Sequence, residues 1–336
     1  MRLLCVGGTG FLGGEVARAA VTAGHEVTVM TRSGQNVTAG AATLIADRDQ
    51  SLPDLYGAFD TIIDTCGYAP DMVNRLIAAV GHVHYVFVSS ISVYSDLSEP
   101  GQDETALAPT ASDADLKFAY GTLPAHRTDA THYGPAYGPL KRACEETVIA
   151  ALGDSATVIR LGLIVGPGDK TDRFTWWVRR CDQGGALPVP DPPDRSIQVI
   201  DIADVAAFIL HLAERRIGGI FNTTAPPMTF AAMLSAIFAQ TQQPADLRWG
   251  PLQAFTKAGL QPWSDLPLIV PDDPIVRHML NVSTARAQEA GLTCRPLEDT
   301  IQRILSWDRG QRDAALKCGM SGVAEQAVLH VLTDPA

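Results

Sequence analysis

An apolar run, Arg2-Leu3-Leu4-Cys5-Val6, stops at Gly7-Gly8-Thr9-Gly10-Phe11-Leu12-Gly13, which carries a glycine at every third position from Gly7. Few folds accommodate that pattern at a strand end. The chain must turn sharply, let a phosphate approach the backbone and pack a helix closely on a strand, and each task favours a missing Cβ. Behind the turn, Phe11, Leu12, Val16, Ala19 and Ala20 recur at helical spacing until Gly24, and a second apolar run covers 27–30. Strand, glycine turn, helix and strand make a βαβ unit. The free N–H groups at the helix start suit a pyrophosphate. Gly7, Thr9, Gly10, Phe11, Leu12 and Gly13 are therefore candidate dinucleotide-binding residues.

The alternation continues. Strands are expected near 43–46, 61–64, 85–88 and 158–161, with helices over 71–80 and around Lys141. This rhythm predicts an α/β fold of Rossmann type, a doubly wound parallel sheet covered on both faces. Two stretches interrupt it. Residues 95–136 are rich in Pro, Gly, Ser, Thr and Asp and read as a long loop, the kind that serves as a lid over a substrate. From Gly166 prolines become frequent, after which 202–213 reads as a helix and 220–222 as a strand that returns to the first unit. The expected division is 1–165 with 196–224 as the dinucleotide-binding domain. Residues 166–195 and 225–336 would form a smaller mixed α/β substrate domain.

Charge narrows the partners. The net charge of −11 is unsuited to a phosphate backbone or an anionic membrane surface. No apolar run approaches the roughly 18 residues of a spanning helix, and the start reads as strand and turn, not as a secretion signal. Six scattered cysteines without a C-x-x-C pair fit reduced thiols, and no metal site is indicated. A cytoplasmic protein with a small-molecule substrate is expected, with a homodimer left open.

Past the second strand, where an NAD-selective site usually presents a carboxylate, the chain reads Thr31-Arg32-Ser33. Arg32 can pair with a 2′-phosphate, so NADP is expected ahead of NAD. Asp47, after the third strand, is positioned to accept a bond from an adenine amino group or to form a turn. Cys66, ending the fourth strand at the cofactor edge, has no activating base beside it and reads as packing there.

Tyr137-Gly-Pro-Leu-Lys141 sets a phenol and an ammonium four residues apart, on one helix face. A nearby cation favours the phenolate and is expected to bring its pKa down from about 10 toward the working range. Ser89 and Ser90 end the fifth strand at the carboxyl edge of the sheet, where a hydroxyl can align a substrate oxygen with the phenol. His126 and His132 lie in the long loop within reach of a substrate, although loop histidines are more often solvated. Phe174, Trp176 and Trp177 serve either a substrate pocket or a core.

Together, the glycine turn, the run Val88-Ser89-Ser90-Ile91-Ser92-Val93-Tyr94, and Tyr137 with Lys141 resemble the extended short-chain dehydrogenase/reductases, the NAD-dependent epimerase/dehydratase group. Arg160 through Gly166-Pro167, Arg173, 198–205 and Gly219 to Asn222 extend the resemblance across roughly residues 1–225. It implies that Ser90 is the catalytic Ser/Thr and Tyr137 the catalytic acid/base. Lys141 would bind the nicotinamide ribose and tune Tyr137.

There are departures. The stretch after Arg160 lacks the amide typical of nucleotide-sugar epimerases, and Ile91-Ser92 stands where 4,6-dehydratases carry Asp-Glu. The expected activity is therefore an NADP-dependent carbonyl reductase or alcohol dehydrogenase acting on a small polar metabolite. The alternatives are an epimerase or dehydratase with tightly held cofactor, and a non-catalytic sensor.

Overall fold

A computed structural model describes residues 1–127 and 130–333. The first strand, β1 (Arg2–Val6), shows why the opening run is apolar on both sides of its pleat. Leu3 and Cys5 enter one core, Leu4 and Val6 another, so both faces of the strand are covered. Helix α1 (Phe11–Thr22) follows the glycine turn. Strands β2 (Glu26–Thr31), β3 (Ala42–Ile45), β4 (Thr61–Asp64), β5 (His84–Ser90) and β6 (Ala156–Leu161) come next, and Gly219–Thr223 is the seventh.

The seven strands form one sheet in the order (Gly219–Thr223)-β6-β5-β4-β1-β2-β3, with every pair parallel. This is the doubly wound Rossmann-type sheet that the βαβ rhythm predicts. Helix α2 (Pro70–Val80) carries Val73, Leu76 and Val80 to one face. On the other face α1 supplies Val16, Ala17 and Ala20.

The segment 95–136 is not a bare loop. It contains α3 (Asp113–Gly121) and the short α4 (Ala130–Tyr133), and runs into α5 (Tyr137–Leu152). Ser112 and Asp115 close a reciprocal capping box at the start of α3. The pattern Ser-x-x-Asp is a helix-start signal that outweighs the turn-rich composition around it.

Helix α6 (Arg173–Gln183) opens the second half, followed by α7 (Ile202–Arg215) on the sheet and α8 (Phe230–Gln240). A separate core forms around Phe174, Trp177, Phe230, Phe255 and Ile301. Trp177 donates its indole N–H to the Pro267 carbonyl at 2.7 Å and meets Phe230 edge-on at 5.0 Å. Phe174, Trp176 and Trp177 thus fill this second core, and none of them lines the main cleft. Large flat rings gain more from full burial than from a pocket wall. All six cysteines are free. Among the described residues no helix is long and apolar enough to cross a membrane, and no cluster of side chains is fit to hold a metal ion.

Candidate functional site

The strand order reverses at β1, which has β2 on one side and β4 on the other. Crossovers leave in opposite directions there, and a crevice opens at the carboxyl ends of the strands. A cleft of about 580 Å³ occupies that place. Its floor is the glycine turn. Gly7 has φ +79°, and the Gly10 N–H closes the turn on the Gly7 carbonyl at 2.9 Å. A Cβ on Gly13 would lie 2.2 Å from the Gly7 carbonyl oxygen, so α1 comes this close to the strand only because Gly13 has none. Thr9, Gly10, Phe11 and Leu12 border the cleft as the helix begins. No side chain caps that helix, whose first amides remain available.

At the β2 and β3 ends the cleft is bordered by Arg32, Ser33 and Asp47. The Arg32 guanidinium donates to the Pro124 carbonyl at 3.0 Å, which ties it to the 95–136 segment. The Asp47 carboxylate accepts the Asp49 N–H at 3.0 Å, so it makes a local turn while bordering the cleft. Arg127 reaches down from the same segment to Asp49 at 2.9 Å and Asp71 at 2.6 Å. The long segment therefore lies against the end of the cleft marked by Arg32 and Asp47. His126 and His132 stack on each other at 5.0 Å, solvent-exposed and outside the cleft.

Sequence reasoning missed Arg48. Its guanidinium is almost fully buried and forks onto the fully buried Asp64 carboxylate at 2.7 and 2.8 Å, while the Tyr85 hydroxyl donates to the same carboxylate at 2.7 Å. The Asp64 carboxyl is pushed up by burial, but Arg48 outweighs this and holds it below the usual range. Cys66 sits on the network, its sulfur 3.7 Å from Arg48, and burial pushes the thiol up. It borders the cleft.

The other end gathers Ser90, Tyr137 and Lys141 on one wall. Ser90 terminates β5 and caps the turn Ile91–Val93, accepting the Ser92 N–H at 3.1 Å and donating its hydroxyl to Ser92 Oγ at 3.0 Å. The Tyr137 phenol lies close enough for the Ser90 hydroxyl to influence its pKa. Gly138 explains how α5 comes so close: a Cβ there would sit 1.9 Å from the Ser92 carbonyl oxygen. Only glycine lets the helix start rest on that turn.

Lys141 is buried, with its ammonium donating to the Gly67 and Val88 carbonyls at 2.7 Å each. Burial lowers its pKa. Burial also pushes the Tyr137 phenol above its ordinary value, with the Ser90 hydroxyl acting in the opposite sense. This differs from the lowered phenol that the Tyr-Lys spacing predicts. The ammonium is held by backbone carbonyls, and desolvation of the half-buried ring dominates.

Several motif residues outside the cleft prove to be a brace. Arg160 forks onto Glu145 of α5 at 3.0 and 2.8 Å and donates to the Tyr94 hydroxyl at 3.0 Å. Tyr94 in turn donates to the Asn222 side chain at 2.7 Å. This buried chain of bonds ties α5, β6 and the seventh strand together, and so fixes the helix that carries Tyr137 and Lys141. Arg173 lies over the Trp263 ring at 4.9 Å.

No family model matches the chain. It is 25% identical over 248 residues to the chloroplast stem-loop binding protein of 41 kDa b from Arabidopsis thaliana, covering 66% of this chain and 58% of that protein. It is 29% identical over 182 residues to 2′-dehydrokanamycin reductase from Streptomyces kanamyceticus, covering 51% and 45%. The matches thus span about half the length of these curated relatives. Among solved structures, the UDP-N-acetylglucosamine 4-epimerase from Bacillus cereus superposes with a TM-score of 0.59 at 18% identity, covering 94% of this chain and 99% of that one. The fold is the one shared with that epimerase, built on a Rossmann-like parallel sheet with flanking helices.

Proposed function

We propose that this chain is an extended short-chain dehydrogenase/reductase, an NADP-dependent oxidoreductase that interconverts a carbonyl and an alcohol on a small polar metabolite. One observation carries the reading: Ser90, Tyr137 and Lys141 share one wall of a cleft whose floor is a glycine turn shaped for a pyrophosphate. The fit of the cofactor is supported by the tight turn at Gly7 and by the free amides that open α1 beside the cleft. Arg32 and Ser33, at the end of β2, are the residues to hold a 2′-phosphate, with no carboxylate at that place. Asp47 is positioned for the adenine.

When bound, NADPH supplies the hydride. Ser90 hydrogen-bonds the substrate carbonyl oxygen and orients it toward Tyr137. As the carbon is reduced, that oxygen takes up the phenolic proton and leaves as the alcohol; the reverse direction returns the proton to Tyr137. A phenol held above its ordinary pKa keeps its proton at neutral pH, which suits it to donation in the reductive direction. Lys141, with one N–H beyond those given to its two carbonyl partners, would hold the cofactor ribose.

The likeness to a nucleotide-sugar epimerase supports a second reading, in which hydride is taken from a sugar and returned to it with no net consumption of cofactor. Arg127, bridging the long segment to Asp49 and Asp71, is compatible with prolonged cofactor retention. The two readings separate in one assay. The purified protein is offered NADPH or NADH with keto sugars, keto-cyclitols and nucleoside-diphosphate sugars. Substrate-dependent NADPH oxidation supports the reductase. Cofactor that copurifies, with epimer formation and no oxidation of added NADPH, overturns it in favour of the epimerase.

A further inference from the structure

The Lys141 ammonium is enclosed on four sides. Two are the Gly67 and Val88 carbonyls, and two are aromatic faces, with the nitrogen 4.8 Å from the Tyr68 centroid and 4.7 Å from that of Phe87. Phe87 is fully buried inside β5 and belongs to the sheet core. Tyr68 is different. It follows β4, borders the cleft, and stands between the cation and two other tyrosines, 6.2 Å from the Tyr137 ring and 6.1 Å from Tyr133.

We propose that Tyr68 is a positioning residue for the reactive pair, its ring face holding the Lys141 ammonium in place while the ring stacks on Tyr133 and leans against Tyr137. A ring face attracts a desolvated cation through its quadrupole, and dry surroundings strengthen the attraction. Lys141 is in such surroundings, since it lacks a carboxylate within ion-pair distance among the described residues. Gly67 fits the same design. A Cβ there would lie 2.7 Å from the Phe87 ring and 3.0 Å from an Asp64 oxygen, so the carbonyl reaches the ammonium only from a glycine. The segment after β4 is therefore a cation cradle, and Tyr68 is its side facing the cleft. The inference rests on the reading of Tyr137 and Lys141 as the reactive pair, yet the state of Lys141 is measurable without turnover.

The chain has only five lysines, so ε-¹³C-lysine labelling gives a spectrum in which Lys141→Arg identifies one resonance. Tyr68→Phe is compared with the same position carrying trifluorophenylalanine, which keeps the ring's shape and removes most of its quadrupole. Fluorination is expected to make Lys141 about three- to thirtyfold more acidic, the range that a cation–π contact supplies, and to weaken NADPH binding. An unchanged Lys141 titration in the fluorinated protein would overturn the proposal and leave Tyr68 as packing for Tyr133. Absence of turnover with every substrate would count against the oxidoreductase reading alone, because the lysine titration is read in the cofactor-free protein.

Discussion

The two ends of the cleft are held by different forces. At the Ser90 end, order comes from close backbone approach and burial: Gly138 against Ser92, Lys141 between carbonyls and rings, Arg160 locked to Glu145. At the Arg32 end it comes from charged side chains that bridge separate segments, Arg127 to Asp49 and Asp71, and Arg32 to Pro124. Burial gives geometry that salt and moderate acid leave intact, and Arg127 with Asp49 shares it, whereas the exposed Arg32 and the part-exposed Asp71 make contacts that are screened or titratable. The end assigned to chemistry is built rigid, and the end assigned to cofactor selection is built to yield.

Arg48 lies beneath both ends, and replacing it has the largest expected effect. Arg48→Met leaves the Asp64 carboxylate buried without its counter-charge, a change that typically costs about 3–5 kcal/mol. Denaturant unfolding should show that loss, and Arg48→Met with Asp64→Leu should recover much of it. A single mutant as stable as wild type would mean that the pair contributes no order to the cleft floor.

Next comes Gly138→Ala, which tests the rigid end alone. The added Cβ collides with the Ser92 carbonyl, so α5 must shift, and a displacement near 1 Å at a reacting group costs about 10²-fold in kcat/KM. The preference for NADPH over NADH, set at the opposite end, should change little, although affinity for both falls as Lys141 moves with the helix. A changed preference would erase the distinction between the ends.

Arg32→Ala tests the yielding end. Loss of one charge-assisted contact corresponds to about 1.5–3 kcal/mol, or roughly ten- to a hundredfold weaker NADPH binding, with NADH binding unchanged. Equal NADPH affinity in the two proteins would remove the basis for preferring NADP.

The smallest effect concerns the long segment and pH. Burial pushes the Asp71 carboxyl up, but Arg127 and Arg75 outweigh it and leave the pKa below 3.8. A carboxylate depressed in the folded state stabilises that state fully above its unfolded pKa, and the contribution is lost as pH falls through the lower folded value. Protection of 113–127 against hydrogen exchange, taken relative to the intrinsic rate at each pH, should therefore fall below about pH 4 or at high salt, and Arg127→Ala should lower it about two- to fivefold already at neutral pH. Protection in this segment that ignores acid, salt and Arg127 would show that the charge pairs do not hold it.

Legibility in the sequence followed the same division. The β1–α1–β2 unit was readable because glycine spacing and the switch of apolar period are local signals. Ser90, Tyr137 and Lys141 were readable through their order along the chain. The groups around them were not, since Gly67, Val88 and Tyr68 reach Lys141 from segments more than fifty residues away, and no local pattern records that approach. Arg48 looked like one more charge in a turn, and its burial depends on Asp64 and Tyr85 from neighbouring strands. Helix α3 was hidden by composition although its capping box was visible. The aromatic run at 174–177 carried no sign of which apolar surface it would meet.

The central claim is that Tyr137 delivers the proton in an NADP-dependent reduction. Tyr137→Phe removes one oxygen and keeps the ring, so folding and NADPH binding should survive. The direct measurement is turnover of this variant at saturating NADPH, with any carbonyl compound that the wild-type protein reduces. The expected result is a fall of about 10²–10⁴-fold in kcat with cofactor affinity little changed. Near-wild-type turnover would contradict the account, making Tyr137 a packing residue and requiring another proton donor.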